Sequence, residues 1–203
     1  MKTNILKMIE QAEVEWKPLG EVCSMITTGK LNANAMEDDG IYPFFTCNEN
    51  PYRINEYAFD MEAILISGNG SQVGHINYYS GKFNAYQRTY VLGQFISEIN
   101  IIYLVHYFKF CLKEYILVNS KKGSVPYITL PMLQNFQIPI PPLELQKEIV
   151  KRLDILTELE AALEAALEAA LEAELSLRKK QYQYYRDLLL TFDDISDRGG
   201  VQD

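Results

Sequence analysis

The 203-residue chain is 48% hydrophobic and 12% aromatic, enough apolar material for one folded domain and an appendage but not for several full domains. No apolar run reaches the roughly 18 residues of a membrane span, and the opening MKTNILKMIEQAEVEW is too acidic and too interrupted for a secretion signal. The net charge of −8 is unevenly spread: residues 1–142 hold 11 Lys/Arg against 13 Asp/Glu, and residues 143–203 hold 8 against 14. A strongly basic, non-specific coat for nucleic acid is thereby excluded, while the near-neutral first part can still present a local basic face. Cys23, Cys47 and Cys111 are odd in number and show no CxxC spacing. They are expected to be buried free thiols in a reducing, cytoplasmic setting.

Residues 1–142 are irregular and strand-rich, the grammar of an α+β domain. Ile41–Thr46 is a strand candidate that Pro43 demotes to an edge or a strand start, because proline cannot donate to a ladder. Met61–Ser67, His75–Tyr79 and Arg88–Leu92 are short apolar or β-branched runs bounded by Gly, Asn and Ser. Between Ser97 and Val118 the period changes. Leu104, Phe108 and Leu112 recur at i, i+4 and i+8, which predicts a helix of about 20 residues lying on the sheet. A loop, a short turn opened by Thr129-Leu130-Pro131 and a last extended piece complete the domain.

From Leu143 to about Phe192 there is neither Gly nor Pro, and Pro141-Pro142 stand just ahead, where a first helical turn needs no amide donor. The expected helix, 143–192, would run roughly 75 Å, longer than any face of the preceding domain. Its apolar stripe includes Leu153, Leu156, Leu159, Leu163, Leu167, Leu171 and Leu175, and a stripe of that length calls for a second helix. LEAA occurs three times from Leu159. Spacing of four against 3.6 residues per turn makes the stripe drift about 40° per unit, so the repeat suits a spacer of about 6 Å per unit rather than a long heptad seam. A solvated low-complexity helix is the plainer alternative. Residues 193–203 are polar and expected to form a flexible tail.

No catalytic motif emerges. Thr28-Gly29-Lys30 runs into Leu31 without the upstream glycine of a phosphate loop. His75 and His106 cannot make a metal site, and no Cys/His cluster supports one. Asn50-Pro51-Tyr52 lacks the second proline of an amine-methylating motif and is expected to be a turn. Glu15-Trp16-Lys17 matches only the end of a nuclease motif, and His106 lies on an apolar helix as a core or rim residue.

Several segments stand in a telling order: Trp16-Lys17-Pro18-Leu19-Gly20-Glu21-Val22, Phe59–Ser67, the Gly68 to Gly74 loop, Gly81-Lys82-Phe83-Asn84-Ala85, and Arg88-Thr89-Tyr90-Val91-Leu92. The most specific piece is Ile128-Thr129 followed by Ile138-Pro139-Ile140-Pro141-Pro142-Leu143-Glu144-Leu145-Gln146 and Ile149-Val150, leading into the long helix. This arrangement, over about residues 14–192, resembles one half of a type I restriction–modification specificity subunit. The resemblance implies a target-recognition domain that reads one half of a split site in double-stranded DNA. It also implies a spacer helix paired antiparallel with a second one, docking to adenine methyltransferase subunits and, for restriction, motor–nuclease subunits. No cofactor is implied, and no catalysis by this chain. With one recognition domain and one helix, the chain is expected to be a half-length subunit acting as a homodimer through its helix, on inverted half-sites. The competing expectation is an adaptor whose coiled coil pairs with another protein and whose α+β domain binds a peptide.

Base reading needs hydrogen-bonding side chains on loops, and register needs donors to phosphate. Three loops qualify: Lys30, Asn32 and Asn34; Asn69, Ser71 and Gln72, among glycines that let amides approach phosphate; and Lys121, Lys122 and Ser124. Arg88 is expected equally as a structural partner for a carboxylate. Arg178-Lys179-Lys180 and Arg186 serve either the helix dipole or docking.

Overall fold

A computed structural model describes residues 5–120 and 126–191. The chain divides into two compact units, Met1–Leu153 and Asp154–Asp203. In chain order the elements are α1 (Ile5–Gln11), β1 (Glu15–Pro18), α2 (Leu19–Val22), β2 (Cys23–Thr28), β3 (Tyr42–Phe45), β4 (Tyr52–Ile54), β5 (Phe59–Ser67), β6 (Ile76–Ala85), β7 (Thr89–Phe95), α3 (Ile101–Asn119), α4 (Leu130–Gln134), β8 (Gln137–Ile140) and α5 (Leu143–Leu190). The class is α+β with one long C-terminal helix. No described helix is long and apolar enough to cross a membrane.

Six strands form one sheet in the order β2-β7-β5-β6-β3-β4. β5 sits inside it, antiparallel to both β6 and β7. This explains why Met61–Ser67 reads as a continuous apolar run rather than an alternation: both faces of the strand are covered. Ile64 and Ile66 enter the main core, while Ala63 and Leu65 enter a second cluster with Phe45, Phe83 and Val91. Pro43 does not make β3 an edge. β3 pairs with β4 on one side and, in parallel, with β6 on the other, but the β6 contact begins only at Phe44, beyond the proline.

α3 supplies the lid of the main core. Leu104, Phe108 and Leu112 are fully buried, as their spacing requires. Asn100 caps the helix by accepting from the Tyr103 amide at 3.0 Å. The hydroxyls of Tyr103, Tyr107 and Tyr115 donate to the carbonyls of Pro139, Gln137 and Met132. Those three bonds tether α4 and β8 to α3. Burial pushes the Tyr103 hydroxyl up to about 12, so it remains a donor throughout the ordinary pH range. α4 opens as the sequence implies, with Thr129 accepting from the Met132 amide.

β8 pairs antiparallel with β1, from Glu15↔Ile140 to Pro18↔Gln137, and so joins the two ends of the globular unit. The turn into α5 is locked by Gln146, which is fully buried. Its Oε1 accepts from the Asn100 amide at 2.7 Å, and its Nε2 donates to the carbonyls of Glu98 and Pro141. A buried amide with three partners is a stable clamp; with any partner missing it would be a liability. The PIPPLELQ junction is therefore structural. Of the thiols, all free, only Cys23 is buried; Cys47 and Cys111 are half-exposed. The expectation of three buried cysteines is corrected because Cys47 lies in a loop rather than in a packed element.

Candidate nucleic-acid interface

Segments far apart in sequence meet around two hollows that share Asn69. One, of about 270 Å³, is bordered by Thr28, Gly68, Gln87, Arg88 and Tyr127. The other, of about 480 Å³, is bordered by Asn34, Asn48, Tyr52, Ser71 and Tyr86. Glycines make this convergence possible. A Cβ at Gly29 would stand 1.7 Å from the Ala85 carbonyl oxygen, and one at Gly68 would stand 2.4 Å from that of Arg88. Gly70 serves differently. Its φ is +85° with open space around it, so conformation rather than crowding selects glycine there.

Backbone bonds then fix the loops. The Gly68 amide donates to the Arg88 carbonyl at 2.8 Å, and the Ile128 amide donates to the Gly68 carbonyl at 2.8 Å. Asn69 bridges to Tyr127, and Leu31 bridges to Tyr86. On this frame Asn69 accepts a weak bond from the Cys47 thiol at 3.3 Å, which leaves its amide donors directed at no protein acceptor among the described residues. Asn48 donates to the Tyr52 hydroxyl at 2.7 Å. The site thus offers amides, hydroxyls and aromatic rings, which suit base edges and unstacked bases alike.

The sequence candidates separate on this geometry. Asn34, Asn69 and Ser71 border one hollow. Asn32 is held beside them by Gln87, whose Nε2 donates to its Oδ1 at 2.7 Å. Lys30 and Gln72 are exposed but border neither hollow. Lys121, Lys122 and Ser124 lie outside the described residues, as does the tail 193–203. Two readings stood open for Arg88. It makes no ion pair with a carboxylate among the described residues; its exposed side chain borders the smaller hollow. Gln87, Asn48 and Tyr127 were not singled out from the sequence, and Tyr52 was noted only as the end of an expected turn. Nothing local distinguishes them from other loop residues; only their shared location does. Among the described residues no group of His, Cys, Asp or Glu is placed to hold a metal ion.

In the long helix, Leu153 is half-buried, whereas Leu156, Leu159, Leu163, Leu167, Leu171 and Leu175 are all exposed. Arg178 pairs with Glu174 at 2.8 Å, and Arg186 pairs with Asp187.

A family model described as the type I restriction modification DNA specificity domain matches residues 12–173. The chain belongs to this family. It is 41% identical over 145 residues to the type I restriction enzyme EcoDI specificity subunit of Escherichia coli, covering 70% of this chain and 31% of that protein. It is 37% identical over 199 residues to a putative type I restriction enzyme specificity subunit of Haemophilus influenzae, covering 96% of this chain and 51% of that one. A solved structure concerned with complex assembly and conformational transition of the type I restriction–modification system shares the fold with a TM-score of 0.64 at 27% identity, over 83% of this chain and 44% of that chain. The crystal structure of the type I system S subunit from M. genitalium does so with a TM-score of 0.63 at 21% identity, over 94% and 49%. The chain therefore spans about half the length, or less, of these relatives.

Proposed function

We propose that the globular unit reads one half-site of a bipartite target in double-stranded DNA, and that α5 pairs antiparallel with the α5 of a second copy. The same helix offers a docking surface for adenine methyltransferase subunits and, in restriction, for motor–nuclease subunits. Those partners carry the catalysis, and this chain supplies position and sequence choice. The observation that supports the reading is the pair of glycine-framed hollows, one bordered by Arg88, the other by Asn34 and Ser71, and both by Asn69. Asparagine pairs in bidentate fashion with adenine and arginine with guanine, or with phosphate. Lys30, Asn32 and Gln72 are assigned to the flanks, and Lys121, Lys122 and Ser124 are proposed as further donors to DNA. Family membership favours this reading over a peptide-binding adaptor.

The test is DNA binding by the full chain together with its methyltransferase partner, followed by fluorescence anisotropy. Asn69→Ala and Arg88→Ala should each weaken specific binding by about 10- to 100-fold, the cost of one lost bidentate contact. Loss at Arg88 that is equal on all sequences, with a shallower salt dependence, assigns it to phosphate. Full binding by both variants would overturn the assignment of this surface. Removing one LEAA unit should change the spacer between half-sites and leave the half-site sequence alone, because each unit contributes about 6 Å. An unchanged spacer in methylation mapping would remove the helix from the role of ruler.

A further inference from the structure

The globular unit carries a second apolar surface, remote in sequence from the loops that frame the two hollows. α3 and the first turns of α5 enclose a small hollow of about 150 Å³ bordered by Tyr103, His106, Tyr107, Phe110, Ile149 and Leu153. Phe110 stands at its rim with 84% of its surface exposed. Leu117, two turns further along α3 on the same side, is exposed as well. We propose that this surface is a seat for the aromatic end of the long helix of a second copy, with Tyr185 lying against Phe110. The proposal rests on the antiparallel pairing of α5 put forward above, and extends it from the helices to the globular unit.

Three observations carry it. First, the stripe that needs a partner starts at the seat. At about 100° per residue, Ile149, Leu153, Leu163, Leu171, Tyr185 and Leu189 fall within an arc of about 80°, and the first two of them border the hollow. Second, length selects the occupant. Ile149 lies six residues from the start of α5, and Tyr184 lies six from its end. Two copies paired antiparallel about their midpoints bring Tyr184-Tyr185 of each to Ile149 of the other. Tyr184 and Tyr185 already pack edge to face at 5.4 Å, and tyrosine suits a half-wet seat, where the ring is covered and the hydroxyl stays hydrated.

Third, charge selects the direction. Residues 153–174 hold seven acidic side chains and no basic one, and the cations Arg178, Lys179 and Lys180 follow. In a parallel pair these cations would face one another across the seam. In the antiparallel pair Lys179 is level with Asp154 of the other copy, beside the seat.

The test uses the full chain with Cys47 and Cys111 changed to Ser, carrying Phe110→Cys and Tyr185→Cys together, and a short bismaleimide cross-linker. The double variant should form a covalent dimer on a denaturing gel, and neither single variant should, because each residue lies far from its own copy in an antiparallel pair. Light scattering of the unmodified chain separates the two readings. A dimer near twice 23.4 kDa that fails to cross-link refutes the seat and leaves helix pairing intact, whereas a monomer refutes the pairing and the seat together. Cross-linking by Tyr185→Cys alone indicates a parallel pair and also refutes the seat. Phe110→Ala gives an independent measurement. Its side chain is exposed in the single chain, so the melting temperature of diluted monomer should hold, while dimer dissociation should rise by about tenfold. Unchanged dissociation would assign Phe110 to another partner.

Discussion

α3 and the part of α5 beyond Leu153 are both helices with a leucine-rich stripe, and they end in opposite environments. Leu104, Phe108, Leu112 and Ile116 of α3 are buried against the sheet. Every side chain from Asp154 to Thr191 is exposed, Leu163 at 72%. The stripes look alike because helical periodicity is local, whereas what covers a stripe depends on elements far away in the chain. α3 has a partner within the same chain, in the sheet it lies on. The exposed leucines of α5 have none among the described residues, and an apolar line of that extent marks an interaction surface.

Truncation separates the two helices most sharply. Phe108→Ala should cost about 3–5 kcal/mol through lost burial and the cavity left behind, a drop visible in denaturant or thermal unfolding. Leu167→Ala should change the stability of the diluted single chain by less than about 0.5 kcal/mol, while weakening self-association. If both cost the same at all concentrations, the distal stripe has an intramolecular partner and the contrast is void.

Next in size is the clamp at the start of α5. Gln146→Leu removes three hydrogen bonds and strands the Asn100 amide and two carbonyls, so it should destabilise by about 3 kcal/mol. Chemical denaturation measures it. A neutral result would mean that water or a shifted backbone takes over the three partners.

The smallest expected effect is chemical. Burial pushes the Cys23 thiol up to about 12 and also raises Cys111, so near pH 8 both stay protonated and slow to react. Cys47, half-exposed in a loop at the larger hollow, should be the fast thiol towards a maleimide, with Cys23 labelled only on unfolding. Rapid labelling of Cys23 in folded protein would show that its part of the core opens readily.

Much of this architecture is written locally. The i, i+4, i+8 spacing of Leu104, Phe108 and Leu112 specifies α3; Thr129 with Pro131 starts α4; and Pro141-Pro142 followed by an unbroken run of helix formers starts α5. Each depends on residues within a few positions of one another, where propensity and capping act. Strand pairing and the candidate site were not legible in that way. β1 meets β8 across more than a hundred residues, and Asn34, Asn48, Asn69, Arg88 and Tyr127 border the same pair of hollows only because the strands between them pair in register. Pro43 could not say by itself whether β3 is an edge or only begins there, for the same reason: whether a strand is an edge depends on what lies beside it, and here the proline stands at the strand start. Local side-chain chemistry determined the elements, and long-range pairing of strands decided which loops share a surface, since no short-range term encodes a contact between distant residues.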